Sequence, residues 1–153
     1  MPVTTAALLG AARARLAGVP QEGLGREKRS RWRSLRIVPA GTAWHVGVLL
    51  LTEDRAFATA EILRAAEHVR RGYAAESARA RADRREQARR GGFAEGAIVH
   101  VGWVEIDVAA VDAGAASGPL ALLDGVPSVK WGAADAYMPL AAYLDERLGL
   151  MGR

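Results

Sequence analysis

The sequence predicts an α+β protein: an antiparallel sheet or partly closed barrel of about five to six strands, with N-terminal, central and C-terminal helices. Three observations carry this. Residues 43–51 (AWHVGVLLL) and 97–108 (AIVHVGWVEIDV) are long apolar runs, the second rich in β-branched residues. Leu123-Asp124-Gly125-Val126 places an Asp-Gly pair between apolar arms, the strongest short hairpin signal in the chain. Three further segments repeat their apolar or alanine positions at helical spacing.

In order along the chain, Thr4 or Thr5 caps a first helix, because a threonine oxygen accepts from the free amides of the opening turn. Leu8, Leu9, Ala12 and Leu16 form its apolar stripe, and Gly18, Val19 and Pro20 end it. Residues 18–30, polar and glycine-marked, read as an exposed connector. Residues 32–38 read as a strand entered through arginines, with a turn at Pro39-Ala40-Gly41. The strand 43–51 follows, and its second half is apolar on both faces, the pattern of a central, covered strand.

At residues 52–55 two readings compete: a helix start, favoured slightly by local propensity, or a tight turn. The turn, with a strand running through Leu63, is the expectation adopted, because a long apolar strand needs a pairing partner and Phe57, Thr59 and Ile62 suit one. Residues 74–90 form a charge-laced, mostly exposed helix, and Gly91 stands at the C-terminal cap position. In 97–108, alternation puts Ile98, His100, Gly102, Val104 and Ile106 on one face, and Val99, Val101, Trp103, Glu105 and Asp107 on the other. Residues 109–118 read as a loop, and Pro127 places the second hairpin arm at an edge or bulge. A final helix spans 137–150, with Pro139 in its first turn and Leu140, Tyr143, Leu144 and Leu148 as its buried stripe.

The length, 153 residues, suits a single globular domain over 1–153, and a half-hydrophobic composition argues against global disorder. The absence of cysteine excludes disulfides, thiolate metal sites, iron–sulfur clusters and cysteine nucleophiles. No metal site and no cofactor is expected. The apolar stretch 3–12 is short and followed, not preceded, by arginines, the wrong order for a signal peptide. No run approaches the ~20 apolar residues of a membrane span, so a cytoplasmic location without membrane contact is expected.

Arginine supplies nearly all the basic charge, with only Lys28 and Lys130 as lysines. The charge is divided unevenly: residues 1–36 carry a net +6, 37–63 a net −2, 64–90 a net +5 and 91–153 a net −5. A basic front and an acidic tail can attract each other, within a fold or between subunits, or expose a basic face to an anionic partner.

The segments HVGVLLLTEDRAFATAEI, RRGYAAESARARA, RRGGFAEG, GPLALLDGVPSVKW and YMPLAAYLDERLGL resemble a family of small uncharacterised actinobacterial proteins, some of them automatically labelled glutaminase. The resemblance covers most of the chain. The label implies amidohydrolase activity but brings no functional residue with it. The chain departs from known glutaminases: Ser128 and Lys130 are two apart and make no Ser-x-x-Lys, and a cysteine nucleophile is missing.

Catalytic candidates are His45 and His100, which fall in the two strongest strands, with Glu105 and Asp107 as carboxylate partners for acid–base work. Walker, G-x-G-x-x-G, G-x-S-x-G and H-E-x-x-H motifs are absent. Binding candidates are Arg70, Arg71, Arg89, Arg90 and Trp103. Arg70-Arg71-Gly72-Tyr73 is echoed by Arg89-Arg90-Gly91-Gly92-Phe93, and arginines beside aromatics and glycines grip phosphates and stack on bases. The bland account is helix C-termini complemented by cations and closed by glycine. Trp44 and Trp131 read as core. The leading functional expectation is a non-enzymatic protein that self-associates or binds a protein partner. The alternatives are a nucleic-acid-binding module using Arg70, Arg71, Arg79, Arg84, Arg89 and Arg90, and a small amidohydrolase.

Overall fold

A computed structural model describes residues 2–67 and 75–151. Helices are α1 (Thr5–Leu16), α2 (Glu76–Arg90), α3 (Val108–Asp112) and α4 (Leu140–Met151). Strands are β1 (Glu22–Ser30), β2 (Arg33–Val46), β3 (Leu49–Leu51), β4 (Ala56–Ala58), β5 (Glu61–Arg64), β6 (Ile98–Val101), β7 (Val104–Glu105), β8 (Leu120–Leu123), β9 (Val126–Lys130) and β10 (Tyr137–Pro139). The protein is α+β, with open sheets rather than a closed barrel and with helices at the N-terminus, middle and C-terminus. Among the described residues no helix is long and apolar enough to cross a membrane.

Contacts divide the chain into two compact units. The first, a helix-rich unit, comprises Met1–Pro20, Trp44–Ala58 and Val104–Arg153. Its strands run in the order β2-β3-β4-β7, where β2 contributes only residues 44–46, and β8, β9 and β10 form a separate antiparallel sheet with β9 central. Leu9 and Leu16 from α1, Val46, Leu49 and Leu51 from the sheet, Val129 from β9 and Leu140, Tyr143 and Leu144 from α4 meet in one buried cluster. The expected stripe of the last helix is thus the buried one. Thr4 caps α1, its hydroxyl accepting from the Ala7 N–H at 3.0 Å. The Asp124-Gly125 turn has positive φ at both positions (51° and 77°), the geometry that an Asp-Gly hairpin turn supplies.

The second, a ribbon unit, comprises Gln21–Ala43 and Thr59–Trp103. Its strand order is β5-β6-β1-β2, with β1 parallel to β6 and the other pairs antiparallel. Ile37, Val99 and Val101 from the sheet pack with Ala88 of α2, Ala65 and Phe93. The helix is otherwise exposed or half-buried, as its sparse apolar content requires.

Several expectations are corrected. Residues 22–30 of the expected connector are β1, which pairs with two strands; hydrogen bonding outweighs the weak β-propensity of its charged residues. Pro39 to Gly41 make no turn but continue β2, where Pro39 stands opposite Gly25. The run 43–51 is broken at Gly47 (φ 61°) into the end of β2 and the antiparallel β3. The strand through Leu63 exists but in two pieces, β4 and β5. Gly102 (φ 78°) likewise splits 97–108, and Asp107 ends it by capping a helix, α3, in the expected loop. Residues 137–139 are a strand, so the last helix begins at Leu140. The described strands number ten rather than five or six because expected strands are split at Gly102 and between Ala58 and Glu61, and because β1 and β10 form where a connector and a helix were expected.

Candidate functional site

The ribbon formed by β1 and β2 carries the densest basic charge in the described residues. Residues 26–36 include Arg26, Lys28, Arg29, Arg31, Arg33 and Arg36 against a single acid, Glu27. The register pairs Glu27 with Ile37, and Arg26 and Lys28 with Val38 and Arg36. Opposed residues share a face, so the two sides of the ribbon differ. One side turns to α2: Ile37 is fully buried and Glu27 pairs with Arg84 of α2 at 2.8 Å. The other side presents Arg26, Lys28 and Arg36 together. Among the described residues none of the six cations is in an ion pair, and the buried Arg36 Nε has no hydrogen-bond partner.

At the tip, Ser30 pairs with Arg33 and leaves Arg31-Trp32 as the loop. Trp32 is 88% exposed. Neither loop residue has positive φ, so the turn is not one of the primed types that favour Asn-Gly. At the other end, the Trp103 indole donates to the Gly25 carbonyl at 3.0 Å, and the Arg26 guanidinium lies over its ring, 5.9 Å from the centroid. Trp103 is therefore a half-buried support beneath an exposed cation.

Arg84, Arg85, Arg89 and Arg90 of α2 have local duties, whereas Arg79 and Arg81 are exposed. Arg84 bridges Glu61 at 2.6 Å and Glu27, and the hydrogen bond to Glu61 leads the effects that raise its guanidinium above the ordinary range despite partial burial. Arg85 donates to the Arg64 carbonyl, Arg89 to the Phe93 carbonyl, and Arg90 bridges Glu86 at 2.5 Å and contacts Ser34. Arg89 and Arg90 thus close the end of the helix. Arg70, Arg71 and His68 lie outside the described residues.

The catalytic candidates are distributed as follows. His100 is fully buried in the ribbon unit, and its Nε2 meets the Glu22 carboxylate at 2.8 Å, a partner sequence reasoning did not name. Glu22 was legible only through pairing: β1 runs parallel to β6 with Leu24 opposite His100, so Glu22 shares their neighbourhood. His45 belongs to the helix-rich unit, where its Nε2 contacts the Gly47 carbonyl at 2.9 Å, beside a groove of about 390 Å³ that also takes in Tyr143 and Arg147. Glu105 faces Arg55 at 3.5 Å in a different groove, and Asp107 caps α3 by accepting from the Ala110 N–H. The break at Gly102 removes the single strand on which Trp103, Glu105 and Asp107 were expected to share a face. Trp44 is buried as expected, whereas Trp131 is 49% exposed just beyond β9. No family model, no curated protein and no solved structure matches the chain.

Proposed function

We propose that the protein binds nucleic acid through the β1–β2 ribbon. The observation that carries this reading is Trp32: a large aromatic, 88% exposed at the end of a two-stranded ribbon, between Arg29, Arg31 and Arg33. Neither Arg31 nor Trp32 has positive φ, so the turn accepts most residues and makes no demand for an arginine and a tryptophan. A large aromatic held in solvent with no packing gain answers to function. Cations supply phosphate affinity, and an exposed indole supplies a stacking surface.

The site differs from the arginine-rich helix that the sequence offered as an alternative: Arg84, Arg85, Arg89 and Arg90 are engaged within the unit, Arg79 and Arg81 stand exposed, and the ribbon adds six cations outside any ion pair among the described residues. The self-association and amidohydrolase readings have separate tests, light scattering across concentration and ammonia release from glutamine. An exposed tryptophan beside arginines also suits a protein interface, but six cations against one acid favour a polyanion over a second copy of the same ribbon, whose like charge would repel it.

The test is a titration of a labelled oligonucleotide at several salt concentrations. Binding is expected to weaken with salt, and joint replacement of Arg29, Arg31 and Arg33 by alanine is expected to reduce the log–log slope by about 2 for a single strand. Absence of binding at low salt, or a triple variant that binds like the parent, overturns the reading.

A further inference from the structure

Resting on that reading, we infer that the ligand is single-stranded, with bases stacked at both ends of the ribbon's cationic face. Register and contacts define that face. Arg26 and Lys28 stand opposite Val38 and Arg36, on the side away from the buried Ile37 and from the Glu27–Arg84 ion pair. At one end the Arg26 guanidinium lies on the Trp103 indole, which is fixed by its hydrogen bond to Gly25. The support holds the guanidinium as a flat, exposed plate, and a base stacks on such a plate as it does on an aromatic ring. At the other end Trp32 is almost wholly exposed. Trp32 stands six positions after Arg26, at most about 20 Å away at roughly 3.3 Å per residue. Lys28 and Arg36 lie between them to meet phosphates.

Two stacking plates with cations between them require base faces to be accessible. In a duplex those faces are hidden against neighbouring pairs, and reaching one means flipping a base out or wedging a step apart. A single strand offers them freely, and each stacked base contributes about 1–3 kcal/mol. A duplex accepting the ribbon in its major groove would use the same cations but neither plate.

The experiment compares four probes of equal length: a single strand, its duplex, an abasic strand with the same phosphates, and an unrelated single-strand sequence. Each is titrated against the parent, Arg26→Lys, Trp32→Ala and Trp32→Phe, with circular dichroism confirming the fold of each variant. Expected are comparable affinities for the two single strands and binding at least tenfold weaker for the duplex and the abasic strand. Arg26→Lys keeps the charge but removes the plate; it is expected to weaken single-strand binding several-fold and leave abasic binding unchanged. Trp32→Phe should restore most of what Trp32→Ala loses. Equal affinity for abasic and ordinary strands, or a duplex bound as tightly as the single strand, overturns this inference and leaves the nucleic-acid reading standing. No binding of any probe overturns both.

Discussion

Gly91 lies directly against the main chain at Ile37: a β-carbon on Gly91 would stand 1.7 Å from the Ile37 carbonyl oxygen. Its φ is −74°, an ordinary helical value, so the residue is glycine for closeness and not for a left-handed turn. The positive φ falls on Gly92 instead. Gly91→Ala must push the end of α2 away from β2, against a backbone atom that cannot rotate aside. A loss of about 3 kcal/mol or more is expected in urea titrations followed by circular dichroism. Gly10, exposed in the middle of α1 with nothing within 4 Å of a β-carbon, makes the matched control. Gly10→Ala is expected to stabilise by about 1 kcal/mol.

Asp112 closes the start of α1 from another helix, accepting from the Thr5 N–H at 2.8 Å and the Ala6 N–H at 3.1 Å. Burial works to raise its pKa, but the backbone donors led by Ala6 outweigh it, and the carboxyl is held below its usual range. A depressed pKa stabilises the fold above the unfolded-state value, near 3.9, and this contribution disappears as pH falls through the lower folded value. Asp112→Asn is expected to cost about 1 kcal/mol at neutral pH and to flatten the acid limb of the stability curve. Thermal melts between about pH 2 and 6 read both effects. Parallel curves for parent and variant across that range would contradict this account.

The Tyr143 hydroxyl, almost fully buried, accepts from the Val48 N–H at 2.9 Å, just past the turn at Gly47. Tyr143→Phe leaves a main-chain donor without that acceptor, and a loss of about 1–2 kcal/mol is expected from chemical denaturation. Gly47→Ala is expected to be worse, since its β-carbon would lie 1.8 Å from the same hydroxyl oxygen at φ 61°.

The ribbon tip makes the opposite prediction. If Arg31 and Trp32 serve a ligand, the fold gains little from them. Arg31→Ser together with Trp32→Ser removes the cation and the indole from a turn that accepts most residues and is expected to leave stability within about 0.5 kcal/mol of the parent's, while abolishing most oligonucleotide binding. A melting temperature several degrees below the parent's would show that the pair serves folding.

What the sequence made legible follows from signal strength. The stripe Leu140, Tyr143, Leu144 and Leu148, the Thr4 cap and the Asp124-Gly125 turn are local signals, and each is found where its residues stand. The ribbon was not legible. Its first arm, EGLGREKRS, has two glycines and five charges, so propensity argues against a strand, and only pairing with β2 and β6 makes one. Long apolar runs misled in the other direction: Gly47 and Gly102 look harmless in a strand pattern, yet positive φ there ends the strand. Trp103 was singled out for its neighbours Glu105 and Asp107, but its contact is Arg26, distant in sequence and unmarked by any motif.

The interleaving of the two units has a consequence for synthesis. Every residue of the ribbon unit has been made once the ribosome passes Trp103, whereas the helix-rich unit still lacks Val104–Arg153. Until α4 emerges, Leu9, Leu16, Leu49 and Leu51 have no Leu140, Tyr143 or Leu144 to pack against. Leu9 and Leu16 therefore wait for partners made more than a hundred residues later, and the nascent chain carries exposed leucines until α4 emerges, the stage at which a chaperone is most needed.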